Sequence, residues 1–170
     1  MNKPVTKQKK PKFDYNVYVA CSLTHAPVEF RADVEAFKKE LKYICNVLSF
    51  VGLSDDSPYE TYLWDIHECV HKSDLIFAIC DFPAIGLGYE IATQVEVRRK
   101  PCIAVAHDKA LVTKLILDTR QPNFEFRRYK NLQKDGLKMV EDKLQEIQNA
   151  DMIKKIEKAK KPRQAVTKVK

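Results

Sequence analysis

Leu75-Ile76-Phe77-Ala78-Ile79-Cys80 is the most apolar run in the chain, and Asp81-Phe82-Pro83-Ala84-Ile85-Gly86-Leu87-Gly88 follows it directly. A run this short, rich in β-branched and aromatic residues, reads as a strand covered on both faces rather than as a helix. The stretch after it holds the only two closely spaced glycines in the sequence. With a helix expected over Tyr89–Arg99, the segment becomes strand, turn and helix, the repeating unit of a parallel sheet.

The same alternation extends to both sides. Asn16–Cys21 reads as a strand, and Pro27 suits the first turn of a helix with apolar positions Val34, Phe37, Leu41 and Ile44. A second strand is expected over Val47–Val51, closed by Gly52, and Pro58 opens a helix whose core-facing residues are Leu63, Ile66, Cys69 and Val70. Cys102–Ala106 reads as the fourth strand, Lys109–Leu117 as a short helix and Phe124–Tyr129 as a half-exposed edge strand. A last helix runs from about Leu132 to Ile153 or beyond. Five strands alternating with helices predict an α/β domain, doubly wound around a five-stranded parallel sheet. Ligands of such sheets bind at the carboxyl ends of the strands, where the strand order reverses. The loops at 22–27, 52–57, 81–88 and 107–110 are therefore where chemistry is expected.

Composition bounds the function. At 170 residues and 45% hydrophobic content the chain fills one domain, and a wholly disordered protein is excluded. No apolar run approaches the roughly 20 residues of a membrane helix, and the basic start has no apolar stretch behind it, so neither a membrane span nor a secretory signal is expected. Five cysteines without a CxxC pair, each inside an apolar run, read as buried thiols in a reducing compartment, hence a cytoplasmic location. The net charge of +7 hides a division: residues 1–12 carry +5 and residues 153–170 carry +7, leaving −5 on residues 13–152. The expected organisation is a basic disordered tail over 1–12, one α/β domain over 13–152, and a basic tail over 153–170 that begins as the helix end. A nucleic-acid-binding fold carries its positive charge on the folded surface. Here the tails hold it, which reads as solvated ends, with weak nucleic-acid contact as the alternative.

Gly86-Leu87-Gly88-Tyr89-Glu90 places a carboxylate near the start of a helix, beside glycines that let a ligand approach the backbone closely. On spacing alone Glu90 could equally complement the helix dipole, a contribution of about 0.3–1 kcal/mol. The segment is neither a dinucleotide fingerprint, which needs a third glycine after the first strand, nor a phosphate loop ending in Gly-Lys-Ser/Thr. Asp65, on the helix before the third strand, reads by itself as a surface acid, as do its neighbours His67 and Glu68. His25 lies in the loop after the first strand and could reach the same end of the sheet.

Tyr18 with the turn at Ser22, Asp65, and the Gly86–Glu90 segment together resemble the nucleoside 2-deoxyribosyltransferase superfamily, which includes the 2′-deoxynucleoside 5′-monophosphate N-hydrolases. The similarity spans residues 15–130 and is most specific at Gly-x-Gly-Tyr-Glu. It implies a flavodoxin-like, nucleoside 2-deoxyribosyltransferase-like sheet. It also implies cleavage or exchange of the N-glycosidic bond of a nucleoside or nucleotide, with retention of configuration. Glu90 takes the role of nucleophile and Asp65 that of the second acid. Tyr18, Ser22, Thr24, His25, Gly86 and Gly88 fall at substrate-binding positions. Thr113 falls where a polar residue from a neighbouring subunit completes the pocket, which implies a homodimer or larger symmetric assembly. The chemistry requires no metal or organic cofactor: a carboxylate stabilises the charge that builds on the sugar and captures it covalently. Water as acceptor makes a hydrolase and a free base makes a transferase.

Two positions depart from the family pattern. Thr24 stands where the nucleotide hydrolases carry an arginine, and Ala84 where they carry a serine or the transferases an aspartate. A threonine cannot replace the planar fork that an arginine offers to phosphate. These departures feed an alternative, a catalytically inactive module that binds or senses a nucleotide. A third class is an interaction protein whose basic tails bind nucleic acid, with the salt dependence such binding carries.

Overall fold

A computed structural model describes residues 10–24, 26–49 and 57–160. Its five strands are β1 (Asn16–Cys21), β2 (Asn46–Leu48), β3 (Leu75–Ile79), β4 (Cys102–His107) and β5 (Phe124–Tyr129). All neighbours pair in parallel, in the order β2-β1-β3-β4-β5, with Tyr18 opposite Ile76 and Ile76 opposite Cys102. The chain first winds outward from β1 to β2, then crosses back over β1 to β3. The reversal falls between β1 and β3, where a crevice opens at the strand ends.

Side chains alternate across this sheet with the period of two that strands impose. Val17, Val19, Phe77, Ile79, Ile103 and Val105 face α1 (Val28–Leu41) and α5 (Leu137–Lys160), whose Phe37, Leu41, Val140 and Leu144 complete one core layer. Tyr18, Ala20, Ile76, Ala78, Ala104 and Ala106 face the other way. They meet Ile66, Cys69 and Val70 of the helix before β3 and Leu87, Ile91 and Val95 of the helix after it. The alanines on this side let both helices sit close to the sheet. β3 is fully buried along its length, as a central parallel strand must be.

The helices depart in detail from what spacing predicts. α2 (Pro58–Tyr62) starts at a capping box: Ser57 Oγ accepts the Glu60 N–H at 3.2 Å, and the Glu60 carboxylate accepts the Ser57 N–H at 3.0 Å. It then widens into π-helical turns over Leu63–Val70, where the His71 N–H reaches Ile66 O at 2.8 Å. α3 (Ile85–Ala92) begins four residues earlier than expected, so Gly86 and Gly88 lie inside its first turn instead of in a loop before it. Leu87 and Ile91 explain the early start. Both are buried one turn apart on the sheet, which offsets the roughly 1 kcal/mol that each glycine costs a helix. α3 runs on as a π-helical segment over Thr93–Val97. α4 is reduced to Lys114–Leu117, because Arg128 holds the preceding loop by the carbonyls of His107 and Ala110, each at 2.8 Å. Before α5, a π-helical turn over Leu132–Gly136 packs so tightly that a Cβ on Gly136 would stand 3.0 Å from the Phe37 ring. α5 passes Ile153 and continues to Lys160 with an exposed final stretch. β2 is shorter than expected; the end of that expected strand, residues 50–51, lies outside the described residues.

Arg98 closes the helix that carries Asp65. Its guanidinium donates to the carbonyls of Val70, His71 and Ser73, the last two at 2.6 and 3.0 Å, satisfying groups that the helix end leaves without partners. Gln94, fully buried, holds the same guanidinium. Arg98→Ala is expected to lower unfolding stability by about 2–4 kcal/mol, since charged hydrogen bonds to buried carbonyls are lost together. Urea denaturation reads this directly, and a loss under about 0.5 kcal/mol would show that the carbonyls find water instead.

Candidate active site

A cleft of about 760 Å³ opens at the carboxyl ends of β1 and β3, beside the reversal in strand order. β1, the α2 helix and α3 each deliver one polar group to its base. Tyr18 points from β1 towards the helices because the strand's alternation puts it on the alanine-rich face. Its hydroxyl donates to Asp65 Oδ1 at 2.6 Å and lies 3.3 Å from Glu90 Oε1. One hydroxyl has one hydrogen, and the shorter distance assigns it to Asp65.

Glu90 is the sixth residue of α3 and is only 6% exposed. Burial pushes its carboxyl well above the usual carboxylate range, Asp65 adds to this as hydrogen-bond partner and as negative charge, and the Tyr18 hydroxyl pulls weakly the other way. The Tyr18 phenol is also pushed well up, first by burial and then by the charges of Glu90 and Asp65. A carboxyl buried beside a second carboxyl holds its proton, because burial and the neighbouring negative charge both oppose its ionised form. Glu90 Oε2 has no hydrogen-bond partner among the described residues. An unpartnered oxygen on a buried carboxyl beside a cleft is the kind of exception that a substrate explains.

The remaining wall is mostly apolar. The loop after β3 contributes Phe82, Pro83 and Ala84, and Phe82 is fixed edge-to-face on Phe30 of α1 with ring centroids 5.0 Å apart. Asp81 ties this loop to its neighbours by accepting the His107 N–H at 3.2 Å and the Tyr129 hydroxyl at 2.9 Å. The loop before α4 supplies Leu111, Val112 and Thr113. Neither Gly86 nor Gly88 has any atom within 4 Å of where a Cβ would stand, so no neighbour in the chain demands glycine there. Both border the cleft, and their bare backbone leaves room for a ligand.

Of the residues expected from sequence, Tyr18, Thr24, Asp65, Gly86, Gly88, Glu90 and Thr113 all border this one cleft. Thr113 does so in its own chain. Ser22 does not line the cleft. It is 1% exposed, with no partner for its Oγ among the described residues. His25 lies outside the described residues. His67 is exposed and stacks edge-on with His71, away from the cleft. Thr61, one turn before Asp65, also lines the cleft and was missed. Its i−4 spacing from Asp65 was the available signal. Among the described residues no group of three or more His, Cys, Asp or Glu side chains is placed to hold a metal ion. No helix among them is long and apolar enough to cross a membrane.

No family model matches the chain, and no curated protein matches it. Among solved structures, the chain is similar to a CMP N-glycosidase, BcmB, of Clostridium botulinum. That match has 22% identity and a TM-score of 0.49, and covers 74% of this chain and 97% of that one. It is also similar to a lysine decarboxylase, LdcF, of Francisella novicida, with 13% identity and a TM-score of 0.47, over 82% of this chain and 18% of that one. Likenesses at this level leave activity to be argued from the cleft itself.

Proposed function

We propose that the chain is an enzyme that cleaves or exchanges the N-glycosidic bond of a nucleoside or nucleotide, with Glu90 as nucleophile and Asp65 as its acid–base partner. The observation that carries this reading is the convergence of Tyr18, Asp65 and Glu90 at the base of one cleft, with Glu90 Oε2 unpartnered. Glu90 Oε2 attacks the anomeric carbon as the carbon–nitrogen bond breaks, and the bonding pair leaves with the base. The proton held by Glu90 passes through Asp65 to the leaving nitrogen. A neutral Glu90 carboxyl and a nucleoside thus become a glycosyl ester and a neutral base, so the step adds no charge to the site. Water or a second base then opens the ester and restores the proton. Dividing one difficult displacement into two lowers each barrier, and retention follows from two inversions.

A homodimer or larger symmetric assembly belongs to this reading. Ile85, Leu111 and Leu115, which border the cleft, stand 95%, 93% and 80% exposed. Surfaces of this kind mark contacts between proteins. The test of function is incubation with a panel of nucleosides and nucleotides, followed by chromatography for free base. Base is expected from at least one member, and addition of a second free base separates transfer from hydrolysis. A panel that stays intact with folded protein would remove the reading.

A further inference from the structure

We infer that the cleft is built for an uncharged nucleoside and discriminates against the same nucleoside carrying a 5′-phosphate. This rests on the glycosidase reading and narrows it. The charged side chains that border the cleft among the described residues are Asp65 and Glu90, both carboxylates. The other polar side chains there are neutral hydroxyls, those of Tyr18, Thr24, Thr61 and Thr113. The surrounding body carries the same sign, −5 over residues 13–152.

A phosphate monoester brings about −1.5 to −2 charge at neutral pH. It would have to enter a space already holding the carboxyl pair, with apolar walls that screen charge poorly. Among the described residues the one positive source facing it is the N-terminus of α3, where Ala84 supplies no side-chain cap. That end is equivalent to about half a positive charge, less than a single carboxylate opposes. A 5′-hydroxyl meets no such conflict. It can donate to or accept from a threonine hydroxyl or a backbone amide, and the apolar wall of Phe82, Leu111 and Ile116 suits the faces of a base. A second anion would also hold the proton more tightly on Glu90, which must lose it to attack. The penalty therefore falls on the chemical step as well as on binding.

The test uses the full chain and each common nucleoside paired with its own 5′-monophosphate, with kcat/KM for base release measured at about 20 mM and about 500 mM salt, since screening reaches only a few ångströms at the higher value. For the best base, the nucleoside is expected to exceed its monophosphate by at least about 30-fold at low salt, equivalent to ~2 kcal/mol. That ratio should shrink at high salt. Monophosphates turned over as well as or better than nucleosides would overturn the inference and leave the glycosidase reading standing. No base from either member of any pair would overturn both.

Discussion

Glu90→Gln folds and loses at least about a thousandfold in base release, the loss expected when a positioned nucleophile is removed. The amide keeps the shape of the carboxyl, so Leu87 and Ile91 on the same helix stay packed and the cleft survives. It has no anionic oxygen to bond the sugar and no proton to pass on. Stability moves the other way, which separates the chemical effect from unfolding. The folded-state value of Glu90 lies above its ordinary 4.5 because of burial and Asp65. The folded chain then holds a proton that the unfolded chain releases, so stability falls as pH rises from about 4.5 through the raised value. Glutamine does not titrate and escapes this loss. The melting temperature of Glu90→Gln should match wild type near pH 4 and exceed it increasingly towards neutral and alkaline pH. Activity within threefold of wild type would sink the nucleophile assignment. An unchanged melting difference across pH would show that Glu90 is not held protonated.

Asp65→Asn is expected to lower kcat about a hundredfold, within the range general acid–base groups contribute, and to displace the pH profile. The working form holds a proton on Glu90, so kcat/KM should fall on the alkaline side, where that proton is lost. The alkaline limb reports loss of that proton from Glu90. Asparagine removes the negative neighbour that raises Glu90, and its amide can donate to the ionised form, so both effects lower the Glu90 value. The alkaline limb should move to lower pH. Tyr18, the other polar group facing Glu90, is a phenol pushed well above its ordinary range and stays neutral across this window. An Asp65→Asn profile superimposed on that of wild type, at normal kcat, would make Asp65 a structural acid.

The sheet was legible because its signal is local: β3 reads as buried in any context, and its parallel pairing follows from the helices on either side. The start of α3 was not, because two glycines in eight residues argue against a helix until the sheet beneath Leu87 and Ile91 is known. Asp65 illustrates what one chain position cannot reveal. On helical spacing it reads as a solvated acid, and only the sheet's alternation, which aims Tyr18 at it from 47 residues away, shows its partner. Glu90 stood out through the resemblance at its glycines, but its burial depends on three elements meeting. Ser22 is expected in the cleft from its place after β1; it is 1% exposed and does not line the cleft, a burial that its place in the turn does not reveal. Thr113 reaches the cleft of its own chain on a loop fastened by Arg128, an arrangement that depends on residues 15 and more positions apart.

The most direct test of a covalent Glu90 mechanism is the intact mass of the protein during turnover of a 2-fluoro analogue of whichever substrate releases base. Fluorine destabilises the positive charge on the sugar and slows both steps, so a glycosyl ester should accumulate. Expected is a mass gain equal to the analogue less its base, located by proteolysis on the peptide containing Glu90 and absent from Glu90→Gln. Stoichiometric release of base from protein that keeps its own mass throughout would contradict a covalent intermediate on Glu90.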